Sequence, residues 1–221
     1  MIRVYFWRIA KRHVPWAILR MGLDRISLWR LSGVRFWKLL GTGKGETFTP
    51  RDADSTRWGL LVVVDENQLL TLEKSKLLQR WRKKSVAEFM VELSPISVSG
   101  KWSGKNPFAH LPNMNSDWQG QVVAITRARI KWRKNWLFWR SVPPVTASLH
   151  SSAGLKAAIG IGEAPLGLQG TFSLWESATA VRNFAYRGEE HKAVIAATHR
   201  EKWYAEELFG RFAVTKAEGN L

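Results

Sequence analysis

The sequence predicts an α+β fold in which two tandem ferredoxin-like βαββαβ units pair their sheets into one barrel within a single chain. Two observations lead to this prediction. Segments with strand and helix patterns follow one another in the order strand, helix, strand, strand, helix, strand, and that order occurs twice. Gly33, a strand and Gly41-x-Gly43 in the first pass also have counterparts in Gly154, a strand and Gly160-x-Gly162 in the second.

The first unit is predicted over residues 1–99. Its first strand is β-branched and aromatic, and its third is the most apolar and therefore central. Pro15 suits the first turn of a helix, whose apolar residues then recur at helical spacing. The predicted strands are Ile2–Ile9, Val34–Leu40, Arg57–Val64 and Val86–Val98, and the predicted helices are Pro15–Leu31 and Asp65–Trp81.

A linker rich in Gly, Pro, Asn and Ser is predicted over residues 100–118, and the second unit over 119–221. The predicted strands are Gln121–Ile130, Leu155–Ile161, Leu168–Trp175 and Leu208–Val214, and the predicted helices are Trp132–Leu149 and Ser177–Trp203. Disorder is expected only at Ala217–Leu221. In such a barrel a large apolar molecule could lie between sheet and helices in one half while the other half stays filled.

The composition narrows the classes of function. The chain has 221 residues, no cysteine, 13 tryptophans and a net charge of +16. Absence of cysteine excludes disulfides, thiolate metal sites, Fe–S clusters and a cysteine nucleophile. The charge favours polyanionic partners such as acidic lipid, acidic protein or nucleic acid. A nucleic-acid binder is the least favoured, because no RNP-like motif is present and the aromatic residues are spread along the chain.

No segment reads as a membrane span or a signal peptide, because charged residues interrupt the apolar stretch Val14–Leu31, so a cytoplasmic location is expected. The region Lys11–Arg30 is basic, amphipathic and carries tryptophan. Two interpretations of it stay open. It could lie on an anionic membrane as a peripheral helix, or pack on its own sheet with its basic side in water.

Five stretches of the chain carry a resemblance to a known family. They read GVRFWKLLGTGKGETFT (33–49), GKWSGKNPF (100–108), LKAAIGIGEAP (155–165), GTFSLW (170–175) and, within residues 191–212, WYAEELF (203–209). Together they resemble the spheroidene monooxygenase family of carotenoid biosynthesis. The resemblance implies a haem enzyme that uses O2, and electrons from a donor such as a ferredoxin, to oxidise C2 of an acyclic carotenoid to the alcohol and then the ketone. The alternative is a haem- or apolar-ligand-binding protein of the same fold without turnover.

A haem in a chain without cysteine needs His, Tyr or Met as its axial ligand. His191 is the first candidate, because it shares a helical stripe with apolar residues and matches the histidine that the resemblance implies there. His199, which lies among charged residues, and His150, in a predicted loop, are the alternatives.

Haem propionates would need cations, and the candidates are Arg127, Arg129, Arg140 and Arg182, with Arg35 and Lys38 behind them. Phe172, with Leu174, Ile159 and Trp139, is expected to line an apolar pocket for the polyene. The Gly41–Gly45 stretch lacks the spacing of a phosphate-binding loop and is predicted to be a turn.

Overall fold

A computed structural model describes residues 1–44, 52–115, 117–130, 149–163, 170–187 and 204–221. Within these residues the strands are β1 (Ile2–Ile9), β2 (Val34–Gly43), β3 (Ala53–Val64), β4 (Ser85–Gly100), β5 (Val122–Ile130), β6 (Leu155–Gly162), β7 (Gly170–Trp175) and β8 (Tyr204–Gly219). The helices are α1 (Val14–Arg30), α2 (Leu69–Glu73), α3 (Lys76–Lys84) and α4 (Ala178–Arg187). None of the described helices is long and apolar enough to cross a bilayer.

The strands form one closed antiparallel barrel in the order β1-β3-β2-β6-β7-β5-β8-β4. Each half therefore has the ferredoxin-like order, β4-β1-β3-β2 in the first and β8-β5-β7-β6 in the second. The halves join along the length of β4 and β8 and, within the described residues, at two register pairs between β2 and β6, Gly41 with Gly162 and Thr42 with Ile161. The predicted fold class is confirmed.

Some predicted elements were shorter or longer than the observed ones. β8 runs to Gly219, which pairs with Phe89, so most of the predicted disordered end is strand. β8 continues beyond its own apolar pattern because the neighbouring strand β4 supplies hydrogen-bond partners. The predicted helix Asp65–Trp81 is broken near Ser75, whose hydroxyl accepts a hydrogen bond from the Leu78 N–H at 3.3 Å and caps α3.

Large apolar side chains from both halves fill the barrel interior. Phe6 of β1 meets Phe172 of β7 edge to face, with ring centroids 5.1 Å apart. The predicted linker closes one end of this core, since Trp102 and Phe108 are buried in it. The chain turns there at Gly100 (φ 88°), where a Cβ would lie 2.2 Å from the Glu207 carbonyl oxygen.

On the outside of the first half, α1 and α3 pack against the sheet. α1 turns Ala17, Met21, Asp24 and Leu28 inward, at helical spacing. The Asp24 carboxylate is fully buried and accepts hydrogen bonds from Trp81 Nε1 at 2.8 Å, from Arg80 at 3.2 Å and from Arg20. The Trp81 ring stacks on Trp7 with centroids 5.2 Å apart.

Candidate functional site

The helix-facing side of the second half differs from that of the first at matching positions of the register. Strand pairing defines two rows across β1, β3 and β2, namely Tyr5–Leu60–Leu39 and Trp7–Trp58–Gly41. The rows at the same places across β5, β7 and β6 are Ala124–Ser173–Ala158 and Thr126–Thr171–Gly160. Gly41 and Gly160, counterparts in the sequence repeat, occupy the same place in the two arrangements. The second half therefore carries only small side chains where the first carries tryptophan, tyrosine and leucine.

The two sets of rows also differ in how far their side chains are buried under the helices. Trp7 and Trp58 are buried under α1 and α3, whereas Thr126 is exposed and Thr171 half-buried. α4 covers the other end of the second sheet, where Val181 is buried and the rings of Trp175 and Phe184 lie 5.4 Å apart. The Thr126–Thr171–Gly160 row is thus a flat, uncharged wall without a side chain larger than threonine.

The wall has no acid–base chemistry of its own. Its polar atoms are hydroxyls and backbone groups, and the Ser173 hydroxyl already accepts a hydrogen bond from Trp175 Nε1 at 2.8 Å. The described residues contain no group of three or more His, Asp or Glu that could hold a metal ion. Such a surface suits a large, flat, apolar molecule, which must bring its own reactive centre.

A charged cluster lies near the closed end of the barrel. Arg127 of β5 donates to Glu163, just after β6, at 2.9 Å and to Glu206 of β8. Glu163 also accepts from Lys38 at 2.5 Å and from Trp102 Nε1 at 2.7 Å. Glu206 accepts from the backbone N–H groups of Ser103 and Gly104, at 3.0 and 2.6 Å. The cluster therefore fastens the segment after Gly100 to both halves.

The cluster keeps both of its carboxylates ionised. Burial alone would raise the pKa of Glu163, but the hydrogen bonds from Lys38 and Trp102 and the charge of Arg127 outweigh burial and lower it. The pKa of Glu206 is also lowered, because its two backbone hydrogen bonds and Arg127 outweigh its burial. These groups are poised for structural ion pairing, since neither carboxylic acid is held protonated for proton transfer.

The structure separates the predicted cation candidates. Arg127 is buried in the charged cluster, on the barrel-interior side of β5, since it alternates with Thr126 of the helix-facing wall. Arg129, near the end of β5, is exposed. Arg182 on α4 is exposed and, within the described residues, donates to the Thr179 hydroxyl at 3.0 Å. Arg140 lies outside the described residues.

The predicted pocket residues and ligands are also separated. Phe172, Ile159 and Leu174 all face the barrel interior, where Phe172 packs on Phe6. The barrel wall therefore stands between these side chains and any molecule held under the helices. His150 is exposed in the segment before β6. His191 and His199, like Trp139, lie outside the described residues.

Sequence reasoning missed the carboxylates of the charged cluster. Both had a local signal. Glu163 follows the Gly160-x-Gly162 stretch directly, and the Ala205-Glu206 pair repeats Ala87-Glu88 in the sequence, although the strand register aligns Glu88 with Phe209. A charged residue at the end of a buried strand indicates an ion pair with a neighbouring strand, but the partner can be named only when the strand order is known.

Comparison with known proteins gave no matching family model. A spheroidene monooxygenase from Rhodobacter capsulatus is 34% identical over 209 residues, which cover 94% of this chain and 86% of that protein. A spheroidene monooxygenase from Cereibacter sphaeroides is 33% identical over 202 residues, which cover 90% of this chain and 61% of that protein. One from Rubrivivax gelatinosus is 33% identical over 189 residues, or 85% of this chain and 71% of that protein.

Among solved structures, an aldoxime dehydratase aligns with 97% of this chain and 81% of its own, with a TM-score of 0.60 and 9% identity. An aldoxime dehydratase in complex with butyraldoxime gives the same TM-score at 10% identity. At these identities the likeness concerns the fold. This likeness of fold agrees with the strand order of the barrel described above.

Proposed function

The chain belongs to the spheroidene monooxygenase family, and from that membership we propose that it is a haem-dependent monooxygenase that uses O2 to hydroxylate and then ketolate an acyclic, spheroidene-like carotenoid. The observation that supports a haem is the contrast between the two helix-facing surfaces. A porphyrin is broad and flat, and the wall Thr126–Thr171–Gly160 is the part of the described structure that offers it an uncharged surface of small side chains.

The fit of a haem to the chain's own residues can be tested in two parts. The wall fits, because among the described residues it has only Ala, Ser, Thr and Gly at the register positions where the first half carries Trp7, Trp58 and other large side chains. The donor set fits as well, because a chain without cysteine but with five histidines can offer an imidazole ligand. Of the predicted cation candidates, Arg127 is already paired with Glu163 and Glu206, whereas Arg129 and Arg182 are exposed, and we propose these two as partners of the propionates.

When bound, haem supplies the activation of O2. The chain's residues have the simpler tasks of holding a flat cofactor, keeping water away and orienting a polyene that offers no hydrogen bonds near the reacting carbon. Each hydroxylation consumes one O2, two electrons from a donor such as a ferredoxin and two protons, and releases one water. A second hydroxylation of the same carbon gives a gem-diol, which loses water to leave the ketone.

His191 is the first candidate for the iron ligand, because it lies on a predicted apolar helical stripe and matches the position that the family resemblance implies. His199, which lies among charged residues of the same predicted helix, is the alternative. We propose that one of these two residues binds iron.

The absorption spectrum of the purified protein tests the haem. We expect a Soret band after expression with haem supply, its loss in one of the single variants His191→Ala and His199→Ala, and its retention in the other. His110→Ala is the matched control, because His110 is exposed in the segment after β4. Haem-free wild-type protein, or a Soret band unaltered in both variants, would contradict the assignment.

Turnover separates the enzyme from the alternative, a haem- or apolar-ligand-binding protein without catalysis. The protein is expressed in a host that produces an acyclic carotenoid, and the extracted pigments are compared by mass spectrometry with those of the same host without the protein. The proposed enzyme gives the 2-hydroxy and then the 2-keto product. A protein that holds haem but leaves the carotenoid unchanged is the binding protein of the alternative.

A further inference from the structure

Helix α1 has an apolar face that nothing in the described structure covers. Among the described residues eight large apolar side chains are exposed, and five of these belong to α1, namely Ile18, Leu19, Leu23, Ile26 and Trp29. Trp29 is 81% exposed. With about 100° of rotation per residue these five form one stripe, on the side opposite the buried residues Ala17, Met21, Asp24 and Leu28.

A helix that only covers its own sheet is expected to be polar on its outward side. α1 instead is apolar on both sides, and its inward side is already satisfied by the sheet and α3. Burial of the outer stripe therefore requires a partner surface.

Cations flank the stripe. Arg25 and Arg30 are exposed on α1, and Lys11 and Arg12 are exposed just before it. Within the described residues none of these four cations forms an ion pair, in contrast to Arg20 on the inward side, which pairs with Asp24. The outward face of α1 thus combines apolar bulk with uncompensated positive charge.

The cation-rich surface continues beyond the helix. A cleft of about 410 Å³ at the end of α1 is lined by Trp29, Trp37, Arg25, Lys38 and Lys105. Its one acidic lining residue, Glu163, is already paired with Lys38 and Arg127. An anionic group beside Trp29 would meet Arg25 of α1 and Lys105 of the segment after β4, since Lys38 is already paired with Glu163.

We propose that this face, the α1 face, docks the protein peripherally on an anionic lipid surface. Apolar side chains that include tryptophan enter the headgroup boundary while arginine and lysine meet the lipid phosphates. The same charges argue against a second copy of the chain as the occupant, because two such faces in contact would place like charges together. The proposal goes beyond the haem chemistry and stands on the surface alone, although a lipid-dissolved carotenoid would make such docking useful.

Vesicle sedimentation tests the proposal on the full chain without any turnover. We expect wild-type protein to sediment with phosphatidylglycerol–phosphatidylcholine vesicles and to remain in solution with pure phosphatidylcholine. Binding should weaken when the salt concentration is raised from about 0.05 M to about 0.5 M. The double variants Leu23→Ser/Ile26→Ser and Arg25→Glu/Arg30→Glu should each lower the partition coefficient by about tenfold.

Matched controls separate a docking face from the general effect of a cationic chain. Leu70→Ser/Val86→Ser removes exposed apolar side chains elsewhere, and Lys101→Glu/Lys156→Glu reverses exposed charges elsewhere. Both should bind vesicles like wild type within about twofold. Wild-type protein that stays in solution at low salt, or α1 variants that bind no more weakly than these controls, would overturn the proposal.

Two further measurements complete the test. If Leu23→Ser/Ile26→Ser changes a dimer into a monomer in light scattering and leaves vesicle binding intact, a second copy covers the face and the proposal fails. The Soret absorbance of every α1 variant should equal that of wild type. A failure of docking is thereby distinguishable from a failure of the haem assignment.

Discussion

The two halves of the barrel have the same strand order and register but treat their helix-facing surfaces in opposite ways. In the first half, three tryptophans meet under the helices, where the ring of Trp81 lies 5.2 Å from Trp7 and 6.5 Å from Trp58. In the second half, Thr126 and Thr171 stand at the positions of those two sheet tryptophans. Among the described residues, the first half fills its helix-facing surface with its own aromatic side chains, and the second half carries small side chains at the same positions.

The two ferredoxin-like halves can therefore serve different purposes, although they share one strand order. The filled half can hold the barrel together and present α1 outward, because burial of large aromatic residues is strongly stabilising. The open half can accept a ligand without loss of the barrel, because the shared interior core lies on the other side of the sheet. Substitutions that exchange the two surfaces are therefore the direct tests of the comparison.

The largest effect on haem affinity is expected from giving the second half the surface of the first, with Thr126→Trp/Thr171→Trp. Overpacking costs about 1–3 kcal/mol at one site, and about 1.4 kcal/mol corresponds to tenfold in affinity, so haem affinity should fall about 100-fold or more. Haem titration followed at the Soret band measures it. Because Thr126 is exposed, the far-UV circular dichroism of the haem-free chain should stay unchanged.

The control for that exchange is Val86→Trp, which adds a tryptophan at an exposed strand position of the first half. It should bind haem like wild type. If the double variant also binds haem normally, the cofactor does not lie on the Thr126–Thr171–Gly160 wall, and the contrast between the halves has another cause.

The next effect is the loss of bulk from the filled half in Trp81→Ala. Trp81 is fully buried, and its ring also meets Trp16 edge to face at 4.9 Å. Truncation of a buried tryptophan costs about 3–5 kcal/mol in the free energy of unfolding, measured by urea denaturation. Trp29→Ala, at an exposed tryptophan of α1, should change it by less than about 0.5 kcal/mol. Equal losses in the two variants would show that the filled half does not carry the stability.

A smaller effect is expected from the buried carboxylate that joins α1 to α3. Asp24→Asn removes the charge facing Arg20 and Arg80 and retains one acceptor for Trp81 Nε1. Hydrogen bonds to charged groups contribute about 1.5–3 kcal/mol, and we expect a loss in that range. Thermal unfolding measures it, with Arg25→Gln on the outward side of the helix as the control. An unchanged melting temperature in Asp24→Asn would mean that α1 is held by its apolar contacts alone.

The fold could be predicted from the sequence because its signals are local. Apolar alternation marks strands such as Arg57–Val64, and paired glycines such as Gly41 and Gly160 mark equivalent strand positions in the two halves. The open wall could not be predicted in this way. Thr126 and Thr171 are unremarkable residues far apart in the chain, and they form a row only when β5 and β7 pair in one register.

The face of the sheet on which a single side chain lies was equally hard to predict. Phe172 is predicted to line an apolar pocket for the polyene, and alternation turns it to the barrel interior while it turns Thr171 and Ser173 to the helices. Arg127 is predicted to face the propionates, and the strand order brings it Glu163 and Glu206. The sequence indicates the chemistry of each side chain, but the face of the sheet on which it lies depends on strand order and register.

The smallest effect concerns the charged cluster that fastens the halves at the closed end of the barrel. The pKa of Glu163 is lowered in the folded chain, so its ionised form stabilises the fold above the ordinary glutamate pKa, about 4.3. This contribution is lost as the pH falls below that value and through the lowered folded pKa. Glu163→Gln should lower the unfolding free energy by about 1 kcal/mol near neutral pH, and the difference from wild type should shrink below about pH 4. Glu66→Gln, at an exposed position, is the matched control. Urea denaturation at several pH values measures both, and a difference that stays constant into acid would show that the cluster acts through shape rather than through charge.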